Sequence, residues 1–119
     1  MSTAFVCPYE GDVSIDQVLP VVQQLVDLGI QDISIGDTIG KATTHNVSVL
    51  TEFLLKRFPD SEFAMHFHDT FGNALDNVKA ALSGGITTYD SSAGGIGGCP
   101  YAPGAKGNVS TNALVKYLH

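Results

Sequence analysis

Two histidines one residue apart, His66 and His68, followed directly by Asp69 and Thr70, are the side chains in this sequence best suited to chemistry. They close the stretch Glu62-Phe63-Ala64-Met65, which reads as a strand. Successive strand side chains alternate between faces, so both imidazoles should project to one side. Nitrogen donors at that spacing can reach a single divalent cation. The plainer alternative is one histidine hydrogen-bonded in the core and the other in solvent. Asp37 and Asp90 stand at the ends of two further predicted strands, either as turn and cap residues or as carboxylates that orient a metal ligand or transfer a proton on the rim shared with the histidines. Asn108 is open to two readings as well: a turn residue, or an oxygen ligand to the same ion. Lys41 and Lys106 leave the same rim, to be solvated or to meet an anionic substrate.

Cys99 lies in the glycine-rich run from Gly94 to Asn108. A dinucleotide fingerprint read from Gly95 needs glycine where Pro100 stands, and a Walker motif needs glycine directly before lysine, where Ala105 stands. Both are excluded. A free cysteine is most often a small buried hydrophobe, but flanking glycines and a proline offer little burial, which favours a reactive thiol on a flap. Cys7, beside Pro8, reads as structural.

The elements that must position these groups repeat. Thr3 to Cys7 reads as a strand, and Ser14 with Gln17 forms a capping box for a helix carrying Ile15, Val18, Leu19, Val22, Leu25 and Val26 on one face, stopped at Gly29. Gln31 to Ile35 is a second strand, and Thr43 or Thr44 opens a helix with Val47, Leu50, Phe53 and Leu54 inward. Phe63 to His66 is the third strand, followed by a helix through Ala74, Leu75, Val78, Ala81 and Leu82 that ends at Gly84-Gly85. Ile86 to Tyr89 is the fourth, and Ser110 caps a last helix with Leu114, Val115 and Leu118.

Four βα units of this length require parallel strands joined by right-handed crossovers. Each strand ends in polar residues, as in a (β/α)8 barrel whose active site sits at the C-terminal ends of its strands. Such a barrel takes about 250 residues, and this chain has 119. The expectation is an α/β single domain over residues 1–119, a partial (β/α)8 TIM barrel whose outer strand edges need covering by a missing half-barrel or by a second copy.

Composition narrows the function. Apolar residues make up 44% of the chain, charged residues 15%, and the formal net charge is −6. A chain of that balance is globular, and its acidic surface disfavours nucleic acid and anionic membranes as partners. No apolar run approaches the roughly 20 residues of a membrane span, and the N-terminus lacks a basic, apolar targeting segment. Two cysteines in unlike settings suggest no disulfide framework and a reducing compartment.

Taken together, Cys7-Pro8-Tyr9-Glu10-Gly11, Gly36-Asp37-Thr38-Ile39-Gly40, His66 to Gly72 and the run Gly97-Gly98-Cys99-Pro100-Tyr101 through to Asn108 resemble the 3-hydroxy-3-methylglutaryl-CoA lyases from end to end. The resemblance implies an enzyme that cleaves 3-hydroxy-3-methylglutaryl-CoA to acetoacetate and acetyl-CoA, steps of leucine degradation and ketone-body metabolism, with Mg²⁺ or Mn²⁺ as cofactor and an acyl-CoA as substrate. Carried over by position, His66, His68 and Asn108 are metal ligands, Cys99 is the flap thiol, Asp37 belongs to the active-site rim, and His66 is the leading candidate for proton transfer. The family's first strand carries an Arg-Asp pair, whereas the only arginine here is Arg57, followed by Phe58. Shortly after the loop asparagine the family has Glu-Asp, and this chain has Asn112-Ala113. The resemblance therefore covers strands five to eight, and the chain alone is expected to be inactive. Two alternatives stand beside it: a non-catalytic, self-associating metal-binding half-barrel, and a related acyl-CoA condensing synthase, which the Gly97–Tyr101 run disfavours. The implied compartment is the cytoplasm of a bacterium or the mitochondrial matrix of a eukaryote.

Overall fold

The computed structural model describes residues 1–7, 9–95 and 107–118. Three parallel strands form its central sheet in the order β3 (Asp32–Asp37), β4 (Glu62–Phe67) and β5 (Thr88–Asp90). Helix α2 (Thr44–Arg57) connects the first two, and α3 (Ala74–Gly84) connects the last two. Both are the crossovers that parallel pairing demands.

Local chemistry sets the helix ends. In α1 (Ile15–Asp27), Gln17 Oε1 accepts from the Ser14 amide at 2.9 Å. Thr43 Oγ1 accepts from the Asn46 amide at 3.1 Å to open α2, and Ser110 Oγ accepts from the Ala113 amide at 3.1 Å to open α4 (Thr111–Leu118). These bonds satisfy donors that a helix start leaves without a partner. Gly85 closes α3 at φ 111°, a conformation that glycine adopts without strain.

The first expected strand is corrected. Thr3 to Cys7 does not join the sheet as a strand; instead β1 (Val6–Cys7) pairs antiparallel with β2 (Gly11–Asp12) in a short hairpin. The cause is local. Met1 and Ala4 still bond to Gly36 on β3, at 2.8 and 3.0 Å, but Thr3 between them adopts φ 50° and turns its amide to Thr38 Oγ1 at 2.7 Å. That bulge breaks the ladder, and Gly11 at φ 79° then folds the chain back. The other strands lie within one or two residues of their expected bounds.

Alternation divides the sheet into two unlike faces. Ile33, Ile35, Phe63, Met65 and Phe67 are buried on one face, in a cluster with Val18 and Val22 of α1, Val47, Leu50 and Leu54 of α2, and Val78 and Ala81 of α3. Full burial of side chains such as Met65 and Phe67 contributes roughly 2 kcal/mol each. Phe53, expected inward, is exposed, and Thr51 takes the buried place on α2. A methyl group at Gly84 would come within 2.6 Å of Thr51 Cγ2, so α3 approaches α2 too closely for a larger residue there. The opposite face of the sheet carries Ser34, Gly36, Ala64, His66 and Asp90 and is not covered by these helices.

Candidate metal-binding site

On that uncovered face, register alone assembles a site. Gly36 pairs with His66, and His66 with Asp90, across three adjacent strands. His68, two residues beyond His66, therefore lies on the same side. The two rings meet edge to face with centroids 5.2 Å apart. Together with Met1, Ser2, Ser34, Gly36, Thr38 and Asp90 they line a concavity of about 340 Å³.

The loops around the rim hold the histidines in place. The strand of His68 continues into an antiparallel bridge with Asn108, flanked by bonds from the Asp69 amide to the Gly107 carbonyl at 3.0 Å and from the Val109 amide to the Phe67 carbonyl at 3.1 Å. Asn108 is thus delivered beside His68 by backbone pairing, although 39 other positions separate the two in sequence. Gly40, at φ 73°, packs from the other side: a methyl group there would sit 3.0 Å from the His68 carbonyl oxygen and 3.1 Å from Thr70 Cβ. Only glycine combines that backbone conformation with that approach.

The two imidazoles differ in surroundings. His68 is buried, whereas the His66 side chain is about a third exposed to the concavity. Burial pushes the His68 pKa below its ordinary value, and His66 beside it adds to the shift, while the Thr38 backbone and the Asn108 side chain pull the other way. A neutral ring with a free lone pair is the form that binds metal. Nδ1 of His68 is moreover buried with no hydrogen-bond partner among the described residues. Such a nitrogen is costly to leave unfilled, and together with a second imidazole and a nearby amide it fits a divalent cation. The set is small. Among the described residues no three His, Cys, Asp or Glu side chains converge to hold a metal by themselves.

Asp37 does not join this group. It follows Ile33 and Ile35 in alternation, so its side chain is fully buried on the helix face, where its two oxygens accept from the amides of Lys41 and Ala42 at 3.2 and 3.1 Å. Burial raises its pKa to about 6 against the opposing pull of those amides. It shapes the loop that carries Gly40 and leaves the concavity to Asp90. Asp90 Oδ2 accepts from Ser34 Oγ at 3.0 Å and lies 3.9 Å from His66 Nδ1. Polar strand ends alone put the two aspartates on one rim; strand parity, applied to β3 as to β4, separates them. Lys41 Nζ sits 5.7 Å from the centre of the Phe71 ring. Cys99 and Lys106 lie outside the described residues. No described helix is long and apolar enough to cross a membrane.

Comparison with known proteins gives a consistent picture. The HMGL-like family model matches residues 1–119. The hydroxymethylglutaryl-CoA lyase of Bacillus subtilis is 52% identical over 118 residues, which make up 99% of this chain and 40% of that relative. The crystal structure of the Bacillus subtilis HMG-CoA lyase superposes with a TM-score of 0.92 at 53% identity, covering 98% of this chain and 39% of that one. An HMG-CoA lyase from Acinetobacter baumannii, solved in complex with coenzyme A and 3-methylmalate, superposes with a TM-score of 0.88 at 41% identity, over 96% of this chain and 37% of that one. The chain thus spans about two fifths of the length of these relatives.

Proposed function

Since the chain belongs to the HMGL-like family, we propose that residues 1–119 act as one unit, the metal-binding side of a (β/α)8 barrel lyase that cleaves 3-hydroxy-3-methylglutaryl-CoA to acetoacetate and acetyl-CoA. The observation that carries this reading is the shared concave face of His66 and His68, with Asn108 bridged to the second of them. These three residues would hold Mg²⁺ or Mn²⁺. The ion would supply Lewis-acid activation, lowering the pKa of the substrate's tertiary hydroxyl.

The chain's own residues do the rest. His68, buried and held between Gly40 and Asn108, fixes one donor in place. His66 lines the open side of the concavity, where the hydroxyl proton leaves to water. With one nitrogen on the ion and the other protonated, the ring orients that exit and does not itself take the proton, and loss of the proton lets the carbon–carbon bond break. The electron pair passes to the acetyl-CoA fragment as an enolate, which must be protonated. Cys99, carried over from the family resemblance, is the residue assigned to that end of the site, by delivering a proton or by excluding water. An acyl-CoA is the substrate class, by likeness to relatives that act on one.

The Arg-Asp pair of the family's first strand is absent from these 119 residues, so the chain by itself is expected to be inactive. The test is complementation. Acetoacetate formation with Mn²⁺ should be undetectable for the chain alone and appear when it is co-expressed with the amino-terminal part of the Bacillus subtilis relative, and His66→Ala should abolish it again. Turnover by the isolated chain above that of His66→Ala would refute the inactive-half reading, and failure of a folded, co-purifying complex to turn over would refute the lyase assignment.

A further inference from the structure

We propose that Asp90 is a positioning residue for His66, turning the ring so that Nε2 is presented to a cation while Nδ1 faces the carboxylate. The inference rests on the metal-binding reading of the two histidines. Register places Asp90 directly beside His66 on the neighbouring parallel strand, on the same concave face. Its Oδ2 is 3.9 Å from His66 Nδ1 and is itself held by Ser34 Oγ at 3.0 Å. Ser34 belongs to β3 and Asp90 to β5, with β4 between them, and the β4 residue in register with Ser34 is Ala64, whose methyl group leaves room for the bond to cross. The carboxylate is therefore fixed from a strand that does not adjoin its own.

A carboxylate facing one ring nitrogen favours the tautomer protonated there and leaves the lone pair on the other. The neighbouring carboxylates are committed elsewhere. Asp37 holds the Lys41 and Ala42 amides on the far face, and Asp69 Oδ1 accepts from the Ala74 amide at 3.2 Å. Since no three His, Cys, Asp or Glu side chains converge closely enough to share an ion among the described residues, Asp90 acts through His66 and not as a further ligand.

The experiment is a Mn²⁺ titration of the 119-residue chain, followed by the electron paramagnetic resonance of free Mn²⁺, with circular dichroism of each variant as the control for folding. Asp90→Asn should weaken Mn²⁺ binding roughly tenfold or more. His66→Ala should weaken it further, and adding Asp90→Asn to His66→Ala should change nothing more. Ser34→Ala keeps every charge in place and should give a smaller loss of the same kind, so it carries the test should Asp90→Asn not fold. Binding by folded Asp90→Asn or Ser34→Ala within twofold of the parent overturns the inference and leaves the metal site standing. An Asp90→Asn effect that persists in full without His66 also overturns it, because the carboxylate would then act on its own. If His66→Ala leaves Mn²⁺ binding unchanged, the metal reading itself falls and takes this inference with it.

Discussion

Asp37 and Asp90 both close a strand of the same parallel sheet, yet they live in opposite surroundings. Asp37 is fully buried, caps the backbone of its own loop and has its pKa raised to about 6. Asp90 is about half exposed, faces a histidine and is held by a hydroxyl from β3. The residue type is the same and the rim is the same. What differs is which side of the pleat each side chain leaves from, and that single bit of geometry converts one carboxylate into a loop brace and the other into a member of the site. Proximity to a strand's polar end is therefore a weak guide to chemistry until parity is applied.

The largest effect expected from this contrast is in stability against pH. With a folded pKa of about 6 and an ordinary value of 3.8 when unfolded, Asp37 keeps in the folded state a proton that the unfolded chain releases. The contribution of Asp37 to stability should thus be greatest below pH 4, decline as pH rises toward 6, and level off above it, a loss of about 3 kcal/mol in all. Denaturant titrations at pH 4 and pH 7 should show Asp37→Asn lacking this decline, whereas Asp90→Asn should retain it. Equal slopes for Asp37→Asn and the parent would mean that the buried carboxylate is solvated after all.

Gly40→Ala comes next, because the loop that Asp37 braces is the one that presses on His68. A Cβ at φ 73°, 3.0 Å from the His68 carbonyl oxygen, should cost about 2 kcal/mol, read as a lowered denaturation midpoint, and should also weaken Mn²⁺ binding. A destabilised variant with undiminished Mn²⁺ affinity would separate the brace from the site. The smallest effect belongs to Asp90→Asn and Ser34→Ala as stability variants: their bond is solvent-exposed, so unfolding free energies should stay within about 0.5 kcal/mol of the parent. A loss like that of Gly40→Ala would show that Asp90 too is a structural brace.

Much of this was legible in the sequence. The helix starts are carried by local side-chain chemistry at Ser14, Thr43 and Ser110, and the alternation around Met65 sets His66 and His68 on one face. Parity within a strand is a local property. The register between strands is not: the polar strand ends put Asp90 on a rim with the histidines, but its pairing with His66 in particular, and the bond from Ser34 to Asp90 over Ala64, have no signal in the chain itself. The failure at the first strand has the same origin: Thr3 at φ 50° answers to a tertiary bond with Thr38, which no propensity encodes. Gly11 did carry turn chemistry, but a turn followed by a helix cap left no room in the reading for a two-residue return strand.

The central claim is that His66 and His68 bind one ion together. Electron spin-echo modulation of the Mn²⁺-loaded chain, labelled with ¹⁴N histidine in a ¹⁵N background, reads that directly. Coupling to two imidazole nitrogens, falling to one in His66→Ala and in His68→Ala, is the expected result. Mn²⁺ that binds without histidine nitrogen coupling, or with coupling that both substitutions leave intact, would contradict it.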